Sequence, residues 1–123
     1  MKKILIVDDD EQIRFILKDL LKKIDAVVNE ASDGDEAIKK FNIEHYDLII
    51  LDILMPGKEG IQTIQELKHN NPGLKIIAIS GGGHIGANVY LDMAKKIGAD
   101  LCISKPIDLN SFIGQVKSLL SLS

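Results

Sequence analysis

Four short segments of this 123-residue chain carry the side chains best suited to chemistry. Asp8 and Asp9 follow one apolar run, Asp52 and Ser80 follow two others, and Lys105 stands just before a proline. Carboxylates that lie close together repel one another, and they either protonate or take up a cation. Oxygen ligands favour Mg²⁺ or Mn²⁺ over zinc. Brought together, these side chains would hold a hard cation and offer a carboxylate nucleophile to a phosphoryl group.

Five short apolar runs predict the strands that must bring these residues together. They are rich in β-branched residues and bounded by Asp, Gly or Pro, which is typical of strands buried on both faces of a parallel sheet. The runs cover residues 4–7, 26–28, 48–51, 76–79 and 101–103.

Helical stripes of apolar residues follow each of these runs. Spacing of i, i+3, i+4 and i+7 predicts long helices within 13–24 and 109–120, and shorter stripes lie within 37–41, 61–67 and 89–97. Asp10 is predicted to lie at the start of the first helix, and Asp33, with Glu36 three residues on, is a predicted cap of the second.

The alternation predicts an α/β fold of one domain, residues 1–123. We expect an open, doubly wound, five-stranded parallel sheet, a (βα)₅ flavodoxin-like three-layer sandwich with helices on both faces. In such sheets the ligand site lies beyond the carboxyl ends of the strands. The four chemical segments stand at those ends.

Composition excludes several classes of protein. The longest apolar runs are far short of the roughly 20 residues that a membrane span needs. Cys102 is the only cysteine, which excludes an intramolecular disulfide and fits a cytoplasmic location. The net charge is −3 and Arg14 is the only arginine, so direct binding of nucleic acid is not expected.

Taken together, the four segments resemble the receiver domain of two-component response regulators, along the chain from Lys3 to about Leu120. Each segment alone is a weak signal, but all four in order at predicted strand ends are specific. They read IVDD at 6–9, LDILMP at 51–56, Ser80 at the end of the fourth strand, and KP at 105–106.

The resemblance implies that Asp52 is the phosphoacceptor in a Mg²⁺-dependent reaction, with Mn²⁺ as a possible substitute. It implies that Asp8, Asp9, Asp52 and the backbone carbonyl of Leu54 hold the metal. Such a domain catalyses only its own phosphorylation and dephosphorylation, so we do not class it as an enzyme.

The resemblance also implies that Ser80 hydrogen-bonds the phosphoryl oxygens and that Lys105 pairs with them, across a cis Lys105–Pro106 bond. The phosphoryl donor would be a phosphohistidine on a sensor kinase or a phosphotransfer protein. Output would pass through contacts with a downstream protein or a missing output domain. We expect a stand-alone receiver, with the N-terminal part of a longer regulator as the alternative.

Three positions depart from the commonest pattern of the family. Cys102 replaces a frequent aromatic residue, which predicts a weaker or differently built switch. Glu59 replaces an aspartate. Gly82 and Gly83 extend a glycine run, and we hypothesise that they let the loop rearrange on phosphorylation.

Competing functions are less well supported by the residues. A phosphatase of the haloacid dehalogenase type would use an Asp-x-Asp motif after the first strand, but Gln12 stands where Thr or Val belongs. A flavin-binding protein would need a hydroxyl-rich phosphate loop there instead of carboxylates. An inactive receiver that serves as an interaction module is a third alternative, and the intact acidic segments argue against it.

Overall fold

The predicted alternation of strands and helices is confirmed by a computed structural model, which describes residues 1–54, 60–81 and 87–121. The elements are, in chain order, β1 (Lys2–Val7), α1 (Glu11–Leu21), β2 (Ala26–Ala31), α2 (Gly34–Ile43), β3 (Leu48–Asp52), α3 (Gly60–Asn70), β4 (Lys75–Ser80), α4 (Ala87–Lys96), β5 (Leu101–Ser104) and α5 (Leu109–Leu119). No helix in this described part of the chain is long and apolar enough to cross a membrane.

All five strands are parallel and form one sheet in the order β2-β1-β3-β4-β5. The doubly wound topology is therefore confirmed, with the order reversing beside β1. Val7 pairs with Leu51, so the residues that follow each of them stand level at the carboxyl edge. Ser80 pairs with Ser104 in the same way, which brings the residue after β5 to the same edge.

Helices cover both faces of the sheet, as the buried strands predicted. The core on one face joins side chains of α1 and α5 to alternate strand residues, among them Leu17, Leu21, Phe112, Val116, Ile4 and Ile6. The core on the other face joins α2, α3 and α4 to the intervening strand residues, among them Ala37, Ile64, Ala94, Leu5 and Leu51. Because β1, β3 and β4 are buried on both sides, they form a firm platform for their carboxyl ends.

The two long apolar stripes are less completely buried than their spacing predicted. Ile16 on α1 and Leu109 on α5 are 42% and 47% exposed. The first helix ends at Leu21, so Ile24 lies beyond the helix although it is buried. A helix presents only a limited arc to a flat sheet, and residues at the edge of the stripe reach solvent.

Aspartates cap three of the helices. Asp10 accepts a hydrogen bond from the amide of Gln12 and begins α1. Asp33 accepts from the amide of Glu36, as the capping spacing predicted. Asp108 accepts from the amide of Asn110 and caps α5, a cap that was not predicted from the sequence.

Gly60 begins α3 in close contact with the backbone that leaves β3. A Cβ atom at this position would stand 2.2 Å from the Cα atom of Ile53. The amide of Gly60 also donates to the carbonyl of Ile53 at 3.3 Å. The absence of a side chain at Gly60 therefore lets α3 lie against the end of β3, next to Asp52.

We predict that Gly60→Ala destabilises the fold, since the contact is with backbone and cannot be relieved by a side-chain rotation. The expected loss is about 1–3 kcal/mol, the usual range for overpacking. Gly114→Ala in α5 is the matched control, because its Cβ meets nothing within 4 Å. That variant should gain roughly 0.5–1 kcal/mol from helix propensity. Urea unfolding monitored by circular dichroism measures both, and equal stability of the two variants would contradict the prediction.

Candidate functional site

Residues from three separate strand ends meet in direct contact at the carboxyl edge of the sheet. Asp8 follows β1, Asp52 is the last residue of β3, and Lys105 follows β5. The Nζ atom of Lys105 lies 3.0 Å from Oδ2 of Asp52 and 3.2 Å from Oδ2 of Asp8. One ammonium group therefore bridges two carboxylates that are 44 residues apart in the chain.

The three predicted acidic residues form one cluster. One carboxylate oxygen from each of Asp8, Asp9 and Asp52 lies within 4.8 Å of the others. Asp8 and Asp52 are only 2% and 5% exposed, whereas Asp9 is exposed. A donor set made only of carboxylate oxygens, open to solvent on one side, fits a hard divalent cation such as Mg²⁺.

Backbone amides hold the buried carboxylates in place. Oδ1 of Asp8 accepts from the amide of Asp10, and Oδ1 of Asp52 accepts from the amide of Leu54, both at 2.9 Å. Each carboxylate thus has one oxygen on a backbone N–H and the other on Lys105. Leu54 is held at the edge of the cluster, where its carbonyl is the predicted fourth protein ligand.

Burial and the neighbouring charges have competing effects on the pKa values of Asp8 and Lys105. Burial raises the pKa of Asp8, and the negative charge of Asp52 adds to the effect, against the lowering by the Asp10 amide and by Lys105. Burial alone would lower the pKa of Lys105, but its hydrogen bonds and charge interactions with Asp52 and Asp8 raise it overall. Lys105 therefore stays protonated, while Asp8 carries its charge at a cost in free energy.

Ser80 completes the row of strand ends with a hydroxyl group that is buried and unpaired. Its side chain is fully buried, and its Oγ atom has no hydrogen-bond partner in the described part of the chain. The carbonyl of Ser80 accepts from the amide of Lys105 at 2.7 Å, which joins the ends of β4 and β5. Buried hydroxyls are nearly always paired, so an unpaired one at this edge is suited to an incoming oxygen atom.

Arg14 lies next to the acidic cluster, a position that was not predicted from the sequence. Its Nη1 atom donates to the backbone carbonyl of Asp8 at 2.6 Å, and its Nε atom donates to Glu30 at 3.1 Å. Arg14 is the only arginine of the chain, and it stands about one helical turn after the acidic segment. That position could have indicated a contact with the segment. Gly60 was missed as well, because its contact with Ile53 is visible only in three dimensions.

Some predictions about the loops fall outside the described residues. They concern Met55 and Pro56 of the 51–56 segment, Glu59, and the glycines Gly82 and Gly83. The hypothesis that the glycine run lets its loop rearrange on phosphorylation therefore stays a prediction.

The two remaining predictions about β5 concern described residues. The Lys105–Pro106 peptide bond is cis, as the resemblance implied. Cys102 is partly buried on β5, packs against the core of the α2, α3 and α4 face, and pairs in register with Ala78. Burial raises the pKa of its thiol, so Cys102 is a packing residue here.

Comparison with known proteins gives a consistent result. A family model described as the response regulator receiver domain matches residues 4–117. The chemotaxis protein CheY of Halobacterium salinarum is 32% identical over 120 residues, which are 98% of this chain and 98% of that protein. The transcriptional regulatory protein ResD of Bacillus subtilis is 36% identical over 118 residues, 96% of this chain but only 48% of ResD.

Solved structures give the same result. A CheY-like response regulator receiver domain protein from Methanospirillum hungatei superposes with a TM-score of 0.88 at 30% identity, covering 98% of this chain and 94% of that one. The response regulator TrrA of Thermotoga maritima, solved in complex with Mg²⁺–BeF, has a TM-score of 0.83 at 34% identity, over 97% and 99% of the two chains.

We predict that Asp8→Asn makes the metal-free protein more stable at pH 7. Asparagine keeps the acceptor for the Asp10 amide but removes the buried charge of Asp8 from the cluster, while Lys105 keeps Asp52 as its partner. Burial is the main cause of the raised pKa of Asp8, so we expect that removing this charge increases the free energy of unfolding, by about 1 kcal/mol, the usual size for a single substitution. Thermal and urea unfolding in EDTA measures the gain.

The gain has a defined pH dependence. Because the folded-state pKa of Asp8 is raised, the wild-type penalty is complete above that raised pKa. It decreases as the pH falls through the raised pKa and vanishes below the ordinary pKa of an aspartate, where the two proteins should converge. Asp25→Asn, an exposed aspartate at the opposite edge, is the control and should change stability by less than about 0.5 kcal/mol. A metal-free Asp8→Asn variant less stable than wild type at pH 7 would show that the bridge outweighs the repulsion.

Proposed function

We propose that this chain, which belongs to the response regulator receiver-domain family, is a signalling switch that accepts a phosphoryl group on Asp52. Receiver domains are switches of two-component signalling. The phosphoacceptor, the metal ligands and the partners given below are our inference for this protein. The observation that carries the proposal is the Lys105 ammonium, which contacts both Asp8 and the candidate nucleophile Asp52. That arrangement places a fixed positive charge beside the carboxylate of Asp52, where phosphoryl oxygens would arrive.

Asp52 is the best-placed nucleophile of the acidic cluster. It ends the central strand β3, between Asp8 after β1 and Ser80 at the end of β4. In the proposed reaction, a carboxylate oxygen of Asp52 attacks the phosphorus of a phosphohistidine. The new O–P bond forms as the P–N bond breaks, and the imidazole nitrogen leaves with the electron pair and takes up a proton.

We propose that Asp8, Asp9, Asp52 and the backbone carbonyl of Leu54 hold Mg²⁺, with Mn²⁺ as a substitute. The support is the cluster of three carboxylates, which offers only oxygen atoms as ligands and is open to solvent at Asp9. When bound, the ion would neutralise negative charge on the transferring group. It would also offset the burial and the repulsion by Asp52 that together raise the pKa of Asp8.

Lys105 and Ser80 act on the phosphoryl group in this proposal. Phosphorylation would remove the charge of the Asp52 carboxylate and place about two negative charges on the phosphoryl oxygens, by analogy with other phospho-residues. Lys105 would then exchange its bond with Asp52 for one with those oxygens. The unpaired hydroxyl of Ser80 could donate to another phosphoryl oxygen once its side chain rotates.

The partners of the switch follow from the same proposal. The donor would be a sensor histidine kinase or phosphotransfer protein, and we place the protein in the cytoplasm. We treat residues 1–123 as one receiver domain. It matches nearly all of the Halobacterium CheY but only about half of ResD. These relatives are therefore consistent with output through a separate protein and with output through an attached domain.

The alternative functions are less well supported by the same residues. A haloacid-dehalogenase phosphatase would put the nucleophile after β1, whereas the family assignment favours Asp52 on β3. The contacts of Lys105 with both acidic segments argue against an inactive receiver. Cys102 stands in place of the frequent aromatic residue, so a weaker or differently built switch remains our prediction.

The proposed function predicts a single phosphoryl adduct on Asp52. Wild-type protein incubated with acetyl phosphate and Mg²⁺ should gain the mass of one phosphoryl group by intact-mass spectrometry. Asp52→Asn should gain none, because an amide is not a nucleophile. EDTA should abolish the wild-type adduct.

Asp25→Asn is the matched control, because it makes the same chemical change at the far edge of the sheet. It should be modified like wild type. An unmodified wild-type protein, or equal adducts on wild type and Asp52→Asn, would refute the proposal.

We also predict that Ser80→Ala folds at least as stably as wild type, although it removes a buried polar group. The hydroxyl has no hydrogen-bond partner among the described residues, so its removal should change the free energy of unfolding by zero to about +1 kcal/mol. Ser104→Ala, its exposed partner in the register, is the control. The Ser80 variant alone should accept the phosphoryl group more slowly. A loss of stability above about 1 kcal/mol would mean that the hydroxyl is paired in solution.

A further inference from the structure

A three-residue network lies directly behind the acidic cluster. Arg14 on the first turn of α1 donates from Nη1 to the carbonyl of Asp8 and from Nε to Oε1 of Glu30 on β2. The side chain of Arg14 is 16% exposed and that of Glu30 is 34% exposed. Lys18, one turn further along α1, contacts the other oxygen of Glu30 at 3.3 Å and is more exposed. The guanidinium thus links helix, strand and the first acidic residue.

The bond from Arg14 reaches the peptide unit that connects Asp8 and Asp9, the two acidic residues that follow β1. The other polar groups of Asp8 are already engaged, because its amide donates to Ala31 and its two carboxylate oxygens meet Asp10 and Lys105. Within the described residues the Asp9 carboxylate makes no hydrogen bond. The position of its Cβ atom is set by the backbone, and the carbonyl of Asp8 lies in the peptide plane that leads into Asp9.

We propose that Arg14, held by Glu30, is a positioning residue for the divalent-cation site. Its bond to the Asp8 carbonyl orients the 8–9 peptide so that the Asp9 carboxylate converges with Asp8 and Asp52. This inference rests on the proposed function, since it concerns the same cation. Arg14 itself does not touch the cation in this assignment. Outer-shell partners of this kind orient ligands, and losing one typically weakens metal affinity.

The charge of Arg14 makes the inference easy to separate from general electrostatics. A positive charge beside a cation site repels the cation, so removing it should strengthen binding if charge were its only effect. Loss of positioning should weaken binding. The sign of the change in Mg²⁺ affinity therefore decides between the two.

The test is an NMR titration of the whole chain with MgCl₂, which follows the backbone amides of residues 52–54. Arg14→Ala should raise the dissociation constant about tenfold, the lower end of the usual effect of losing an outer-shell partner. Lys18→Ala is the matched control, since it removes the same charge from the same helix and the same contact with Glu30. Its dissociation constant should stay within about twofold of wild type or fall, because an exposed ion pair contributes little.

A second pair of variants tests the inference if Arg14→Ala folds poorly. Glu30→Gln and Glu30→Ala lose the same negative charge, but only glutamine keeps an oxygen that can accept from Arg14. Magnesium should bind more weakly to Glu30→Ala than to Glu30→Gln by several-fold. Equal affinities for this pair would overturn the inference, as would an Arg14→Ala variant that binds Mg²⁺ as tightly as wild type or more tightly.

Failure of this inference and failure of the proposed function give different results. If wild type binds Mg²⁺ and is phosphorylated on Asp52 while Arg14→Ala binds Mg²⁺ equally well, only the positioning role is lost. If wild type and Arg14→Ala differ in Mg²⁺ affinity as expected but Asp52 takes no phosphoryl group, the positioning role stands without the switch. A wild-type protein that does not bind Mg²⁺ overturns both.

Discussion

An ammonium group held between two buried carboxylates is the interaction on which the rest of the site depends. Lys105 contacts Asp8 and Asp52 at 3.2 and 3.0 Å, and both aspartates are almost completely buried. Two carboxylates in such surroundings are unfavourable without compensation, and removing the cation of a buried ion pair, which leaves its anions unpaired, typically costs about 3–5 kcal/mol. The bridge also joins the ends of β1, β3 and β5 across the sheet. The protein thereby keeps a concentrated negative charge at the edge of the sheet where we propose that a cation and a phosphoryl group bind.

The site is locally unfavourable, and the apolar sheet makes it tolerable. Asp8 has a raised pKa, Ser80 has a buried hydroxyl without a described partner, and Gly60 leaves no room for a side chain against Ile53. Each feature would be a defect in an ordinary core. Here they lie together at the carboxyl ends of strands that are buried on both faces. Departures from good local packing and pairing are expected where a protein binds and reacts.

Much of this arrangement was predictable because its causes are local in the chain. The five strands and five helices follow from short-range periodicity, and the caps at Asp10 and Asp33 follow from the residue types at helix starts. The parallel topology then placed the four chemical segments at one edge. The prediction was weaker for Ile16 and Leu109, whose exposure depends on how far the sheet extends beneath each helix.

The amino-acid sequence by itself determined the order of the elements and the identity of the acidic, hydroxyl and ammonium groups at the strand ends. The tertiary structure alone decided how those groups meet: that Lys105 touches both Asp8 and Asp52, that Ser80 is buried without a partner among residues 1–54, 60–81 and 87–121, and that Arg14 reaches the Asp8 carbonyl. The physical reason is distance along the chain. Periodicity and capping act over a few residues, whereas these contacts depend on the packing of elements that only the folded sheet brings together.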